Sequence, residues 1–250
     1  MMIFPKINLH IHSTYSDGNN SIREIVQKSI KQGLEYICIT DHFTNSWKAN
    51  IIPNLDTKEK MEQYLTELSE IRQELIEDSQ NLVLLKGIEV DITSSYDYIM
   101  KMISPQDYDI LLFEYVESVE GVGFVKNLLL NWKQQFEKIN EYCIFGLAHF
   151  DPSYFEYSSL GILMNFLKQY NVYFEFNSSY PQFYSQRYSN FFHELQANQI
   201  LVSIGCDSHD ISNLDNFEEP LNMIEFYALE LNLKRFIEIL RTRKRYYNTI

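Results

Sequence analysis

KINLHIHSTYSDG, residues 6–18, sets two histidines at the end of a β-rich run and an aspartate just beyond them. Successive side chains of a strand point to opposite faces, so Asn8, His10 and His12 share one face and Ile7, Leu9 and Ile11 the other. The apolar face needs a covering layer of helices. The polar face needs a mouth that an ion or ligand can reach. A His-x-His pair alone carries little weight, but the rest of the chain repeats the placement.

Beyond this stretch, Ser21-Ile22-Arg23-Glu24 predicts a capping box, followed by Ile22, Ile25, Val26 and Ile30 at helical spacing and Gly33 as terminator. Tyr36–Thr40 reads as a second strand. Asp56 or Thr57 caps a long helix whose apolar face is Met61, Tyr64, Leu65, Leu68, Ile71 and Leu75. Further strands are predicted at Leu82–Ile88, Asp109–Tyr115, Tyr142–Ala148, Val172–Asn177 and Ile200–Cys206. Between them lie helices phased on Val125, Leu128, Leu129, Trp132 and Phe136, around Leu160–Tyr170, and near Asn190–Ala197. The tail Leu221–Leu240 reads as two amphipathic helical pieces. About seven β–α units with no internal linker imply a parallel sheet covered by helices in a single domain, residues 1–250. An open doubly wound sheet fits that alternation as well.

The ends of the strands decide between them. His10 and His12 end the first, Asp41-His42 the second, Glu89 the third, Glu114 the fourth, His149 the fifth, and Asp207 with His209 the seventh. In a closed α/β barrel these ends converge on one mouth; in an open sheet most lie too far apart to share a site. Neutral imidazoles and carboxylates suit Zn, Mn or Fe, and such ions make hydroxide available near neutral pH. The sixth histidine, His193, falls on a predicted helix and is excluded from the site. If Asp207 faces the mouth, Cys206 faces away from it, as a packing thiol.

Composition narrows the function. Hydrophobic residues are 45% and charged residues 22%, with 18 Tyr and 17 Phe, so much of the core should be aromatic. A net charge of -13 argues against binding a nucleic-acid duplex. The basic cluster Arg241, Arg243, Lys244 and Arg245 reads as a solvated helix end. Cys38, Cys143 and Cys206, an odd and scattered set with no secretory leader, predict buried thiols in the cytoplasm. No run suggests a membrane span. The oligomeric state is left open.

The chain resembles the PHP (polymerase and histidinol phosphatase) superfamily through Asn8-Leu9-His10-Ile11-His12-Ser13 to Asp17-Gly18, Thr40-Asp41-His42, Gly87-Ile88-Glu89-Val90-Asp91, Ala148-His149 and Cys206-Asp207-Ser208-His209. The resemblance implies a distorted TIM-like (β/α)7 barrel and up to three divalent metal ions. On that pattern His10, His12, Glu89 and Asp207 hold one ion, Glu89 bridges to a second that His149 also binds, and Asp17, His42 and His209 hold the third. One position departs from the pattern: a histidine is usual after the fourth strand, and Glu114 stands there as its substitute. The resemblance further implies a stand-alone phosphoesterase of the histidinol-phosphate phosphatase type, in which a metal-activated hydroxide attacks a small phosphomonoester. Glu89, Asp207 and His209 are the expected catalytic groups, and Arg187 and Lys48 the candidate contacts to the substrate phosphate. The competing readings are an amidohydrolase-type metal hydrolase, which often has a bridging modified lysine where this chain has Glu89, and a non-catalytic metal-binding barrel.

Overall fold

A computed structural model of the chain describes residues 4–136, 143–155 and 159–247, the last five by their backbone alone. The strands are β1 (Ile7–Ile11), β2 (Tyr36–Ile39), the two-residue β3 (His42–Phe43), β4 (Val83–Asp91), β5 (Ile110–Glu114), β6 (Ile144–Leu147), β7 (Tyr173–Asn177) and β8 (Val202–Gly205). All pair in parallel, in the order β1-β2-β4-β5-β6-β7-β8, with β3 also on β4. β2 pairs with residues 83–86 of β4 and β3 with Glu89 and Val90, so the two are one interrupted strand. The result is a nearly closed barrel of seven parallel strands.

Closure rests on hydrogen bonds between β1 and the segment after β8. The His12 N–H donates to the Ser208 carbonyl (2.9 Å) and the Ser208 N–H to the His10 carbonyl (3.2 Å). The Asn8 side chain adds a staple: its amide donates to Ser208 Oγ and the Leu214 carbonyl, and its Oδ1 accepts from the Cys206 N–H.

The helices are α1 (Ile22–Gln32), α2 (Lys58–Glu77), α3 (Tyr96–Met102), α4 (Val119–Gln135), α5 (Leu160–Tyr170), α6 (Ser189–Ala197), α7 (Glu218–Phe226) and α8 (Glu230–Tyr247). α1 begins on the Ser21–Glu24 capping box and ends on left-handed Gly33; α2 is capped by Thr57. None of the described helices is long and apolar enough to cross a membrane. Arg241 is exposed on α8, whereas the side chains of Arg243, Lys244 and Arg245, and residue Tyr142, lie outside the described residues.

Two elements differ from the sequence reading. β4 runs three residues past Ile88, because Glu89–Asp91 pair with β5 while Glu89 and Val90 also pair with β3. Acidic residues look like a strand end in sequence; here they are inside the strand and fully buried. α3 was not anticipated, since seven residues carry too little periodicity to register.

Strand parity sorts the core. Phe174 and Phe176 of β7 pack outward on Phe191 and Phe192 of α6, and Trp132 of α4 stacks on Phe113 and Phe145. Tyr173, Glu175 and Asn177 take the opposite, inner face. The barrel accommodates their bulk with glycines on neighbouring strands: a Cβ at Gly146 would overlap the Tyr173 ring, and one at Gly205 would overlap the Glu175 carboxylate. We therefore expect Gly146→Ala to cost about 1–3 kcal/mol through overpacking. Denaturant titration checks this, and Tyr173→Leu in the same chain should recover part of the loss.

Candidate metal centre

The mouth is assembled from strand ends and the turns that follow them. His10 comes from the inner face of β1 and His12 directly follows that strand, His42 comes from β3, Glu89 from β4 and Glu114 from the last residue of β5. His149 follows β6 and Asp207 follows β8, both with positive φ (31° and 46°). Left-handed backbone is uncommon for residues other than glycine, and it collects where a side chain must be re-aimed. Asp17 sits on a loop organised by Asp41, which accepts from the Ser13 N–H (2.8 Å), Ser13 Oγ (2.6 Å) and Ser16 Oγ (2.6 Å).

Glu89 lies at the centre. It is fully buried, and neither carboxylate oxygen has a hydrogen bond of good geometry. Yet ring nitrogens of His10, His12, His42 and His149 lie 2.8–3.6 Å from it. These contacts are close but poorly aligned for N–H donation. The His10 and His12 Nε2 atoms face one another at 3.1 Å, and His12 Nε2 lies 2.9 Å from Asp207 Oδ1. Converging imidazole nitrogens and an orphaned buried carboxylate are what divalent cations require as ligands.

Ligand atoms within mutual reach form three groups: His12, Asp17, His42 and His209; His10, His12 and Glu89; and His42, Glu89 and Glu114. His209 Nε2 lies 3.2 Å from Asp17, and His149 Nε2 lies 3.2 Å from Glu89. All nine sequence-predicted ligands are thus brought to one mouth, with Glu114 beside His42 as well as near Glu89.

Acids and imidazoles shift one another there. Burial opposes protonation of His42, but Glu89 and Glu114 outweigh it and raise its pKa to about 10. His10 is likewise raised: Glu175, Glu89 and Asp207 overcome its burial. For Asp17, burial is overruled by His209, His42 and His12, which bring it to about 2. His12 moves the other way, lowered by burial and the neighbouring His42.

Glu175 was missed in the sequence reading. Its two oxygens each lie 3.1 Å from His10 Nδ1, and it is held by the Asn177 amide and the His149 N–H, each at 2.9 Å. An Nδ1–H donated to Glu175 leaves the Nε2 lone pair of His10 for a metal. The available signal was parity: in Phe174-Glu175-Phe176-Asn177 the polar residues share the inner face.

Over the ligands lies a cavity of about 330 Å³. Asp17, His42, Asp207 and His209 reach it, Tyr115, Phe150, Tyr154, Tyr180 and Phe183 wall it, and Glu117 and Asp151 add acidic groups. Tyr180 rests on the His149 ring at 4.7 Å, and burial and its bond to Asp207 keep its phenol protonated. Lys48 lines the cavity, with Nζ 2.7 and 2.8 Å from the Glu114 oxygens. Arg187 does not line it. Its turn buries Tyr184 and Tyr188, which leaves Arg187 exposed, its guanidinium 5.5 Å over Tyr188. His193 is exposed on α6.

The family model of the PHP domain matches residues 8–179. The chain is 40% identical over 96 residues to the DNA polymerase/3'-5' exonuclease PolX of Bacillus subtilis (strain 168), a match covering 37% of this chain and 15% of that protein. Among solved structures, it is similar to a histidinol phosphate phosphatase of Lactococcus lactis subsp. lactis Il1403 complexed with zinc, L-histidinol and phosphate. That likeness has a TM-score of 0.61 at 17% identity and covers 89% of this chain and 93% of that one. A structure from work on YwqE of Bacillus subtilis and CpsB of Streptococcus pneumoniae, described as unique metal-dependent tyrosine phosphatases, gives a TM-score of 0.51 at 17% identity. It covers 88% of this chain and 86% of that one. At these identities the structural likeness is one of fold.

Two outcomes follow from this geometry. A proton on His42 up to pH about 10 occupies a position that a metal needs deprotonated, so metal affinity should rise with pH from neutral toward 10 and collapse in acid. Calorimetry in buffers of different ionisation heat should register proton release on binding. Glu175→Gln should weaken metal binding about 10–100-fold, since His10 loses its charged orienting partner; competition with a chromogenic chelator measures it.

Proposed function

The chain belongs to the PHP domain family, and from that premise we propose that it is a metal-dependent phosphoesterase acting on a small phosphomonoester. The observation that carries the reading is the orphaned Glu89 carboxylate, ringed by imidazole nitrogens directly beneath a cavity of small-molecule size.

A neutral imidazole has one lone-pair nitrogen, so His12 and His42, each within two of the ligand groups, serve one ion apiece. His12 joins His10, Glu89 and Asp207; His42 joins Asp17 and His209; Glu89, Glu114 and His149 border a third position. Zinc, manganese or iron bound here would acidify water and offset negative charge developing on phosphoryl oxygens.

The protein's own groups do the rest. Glu89 and Asp207 are held ionised: burial opposes it, but His10 and its neighbouring imidazoles outweigh burial at both residues. His209 and Asp17 fix the edge of the mouth against each other. Tyr180 presents a protonated hydroxyl beside Asp207, and Lys48 lines the same cavity with its ammonium on Glu114. The aromatic wall with Glu117 and Asp151 suits a flat leaving group bearing positive charge, which supports a histidinol-phosphate-like substrate. A net charge of -13 supports a small substrate over a nucleic-acid duplex. The buried thiols of Cys38 and Cys206 support a reducing, cytoplasmic setting.

Phosphate release from a panel of phosphomonoesters, run with the metal that co-purifies, tests the reading. Glu89→Gln and Asp207→Asn should each lower turnover about a hundredfold or more while the fold persists by circular dichroism. Near-normal turnover in both variants would refute the mechanism. A lactone or cyclic amide cleaved in preference to every phosphate ester would move the chain to a different hydrolase class.

A further inference from the structure

Among the described residues, Lys48 is the cation that reaches into the ligand set. Its side chain is 12% exposed, and Nζ lies 2.8 and 2.7 Å from the two Glu114 oxygens and 3.2 Å from His42 Nδ1. Those contacts fall on two members of the third ligand group, His42, Glu89 and Glu114. An ammonium bonded to both oxygens of Glu114 competes for the lone pairs that a divalent ion would use.

His42 strengthens the point. Its Nε2 faces Asp17 at 3.6 Å, and its Nδ1 lies 2.8 Å from Glu89 Oε2. With Nε2 given to an ion beside Asp17, Nδ1 carries the ring proton and is not a ligand for the third position.

Nor is Lys48 a loosely placed surface residue. It lies in a short turn, Trp47–Asn50, capped by Ser46, whose hydroxyl bonds Asp91; Thr44 Oγ1 bonds the same carboxylate at 2.7 Å. Asp91 is the register partner of Glu114 across β4 and β5, so one rigid pair of strands carries both the loop anchor and the carboxylate.

We propose that the Lys48 ammonium stands in place of a third divalent ion, so that the chain binds two ions and uses the Lys48–Glu114 pair as a fixed cation beside them. The inference rests on the metallohydrolase reading above. The two ions would be held by His10, His12, Glu89 and Asp207, and by Asp17, His42 and His209, while His149 Nε2 stays 3.2 Å from Glu89 without an ion of its own. Two ammonium N–H groups engage Glu114, and Nζ lines the cavity in which a substrate would sit.

Metal counting by mass spectrometry on the full chain, saturated with zinc and desalted, tests this. Wild type should hold two ions. Lys48→Met, which frees Glu114, should hold three, and Lys48→Met with Glu114→Gln should return to two. Lys48→Arg, which keeps the cation, should stay at two, and circular dichroism checks that each variant is folded. Three ions in wild type, two in folded Lys48→Met, or three in the double variant would each overturn the proposal. Fewer than two ions in wild type would overturn it together with the metallohydrolase reading, so the two failures are distinguishable.

Discussion

A carboxylate with no exposed surface and no well-aligned hydrogen-bond donor is among the most expensive groups a fold can carry, and Glu89 is one. Its position is tolerable where cations share the site, and the barrel brings their ligands to it. Those ligands come from opposite ends of the chain. His12 after β1 and Asp207 after β8 meet at 2.9 Å because the Asn8 staple and the Ser208 bonds join the first strand to the last. Barrel closure and the metal site are therefore one constraint. Loosening the Asn8 contacts separates ligands, and removing the cations leaves Glu89 stranded.

Around this centre the buried acids divide their labour according to what lies beside them. Asp41 and Asp91 are surrounded by the hydroxyls and N–H groups of neighbouring Ser and Thr, which use up their oxygens; they shape the loops carrying Asp17 and Lys48. Glu175 is met by an amide, a backbone N–H and one imidazole, so it orients His10. Glu89 is offered imidazole nitrogens alone, and Glu114 an ammonium and an imidazole. The donors within reach, rather than depth of burial, decide which carboxylates remain free to bind an ion.

That division explains what was legible in the sequence. Alternation in residues 7–12 placed His10 and His12 on one face, and the run of strand-end His, Asp and Glu implied closure of the barrel. The Ser21–Glu24 box and Thr57 cap are local chemistry, decided within a few residues, and both hold. Asp41 looked like part of an Asp-His ligand pair, but its role depends on Ser13 and Ser16, about 25 residues away. Glu175 lay hidden in an aromatic strand, because only contact with His10 across the closed barrel gives it meaning. Arg187 was attractive by residue type, yet neighbouring Tyr184 and Tyr188 claim the interior and turn it outward. In each case the missing information is a long-range contact, which local periodicity does not contain.

The same charge logic bears on the substrate. Asp17, Glu89, Glu114 and Asp207 put four carboxylates at the mouth, and a histidine in place of Glu114 would have made it three. A dianionic phosphate ester enters such a mouth only if fixed positive charge exceeds that of the carboxylates. Two divalent ions would only balance these four acids, with Glu117 and Asp151 still lining the cavity; the Lys48 ammonium offsets Glu114. Glu114 and Lys48 thus act as a matched pair. The ammonium meets both Glu114 oxygens, so the carboxylate that stands in place of a histidine brings its own counter-charge.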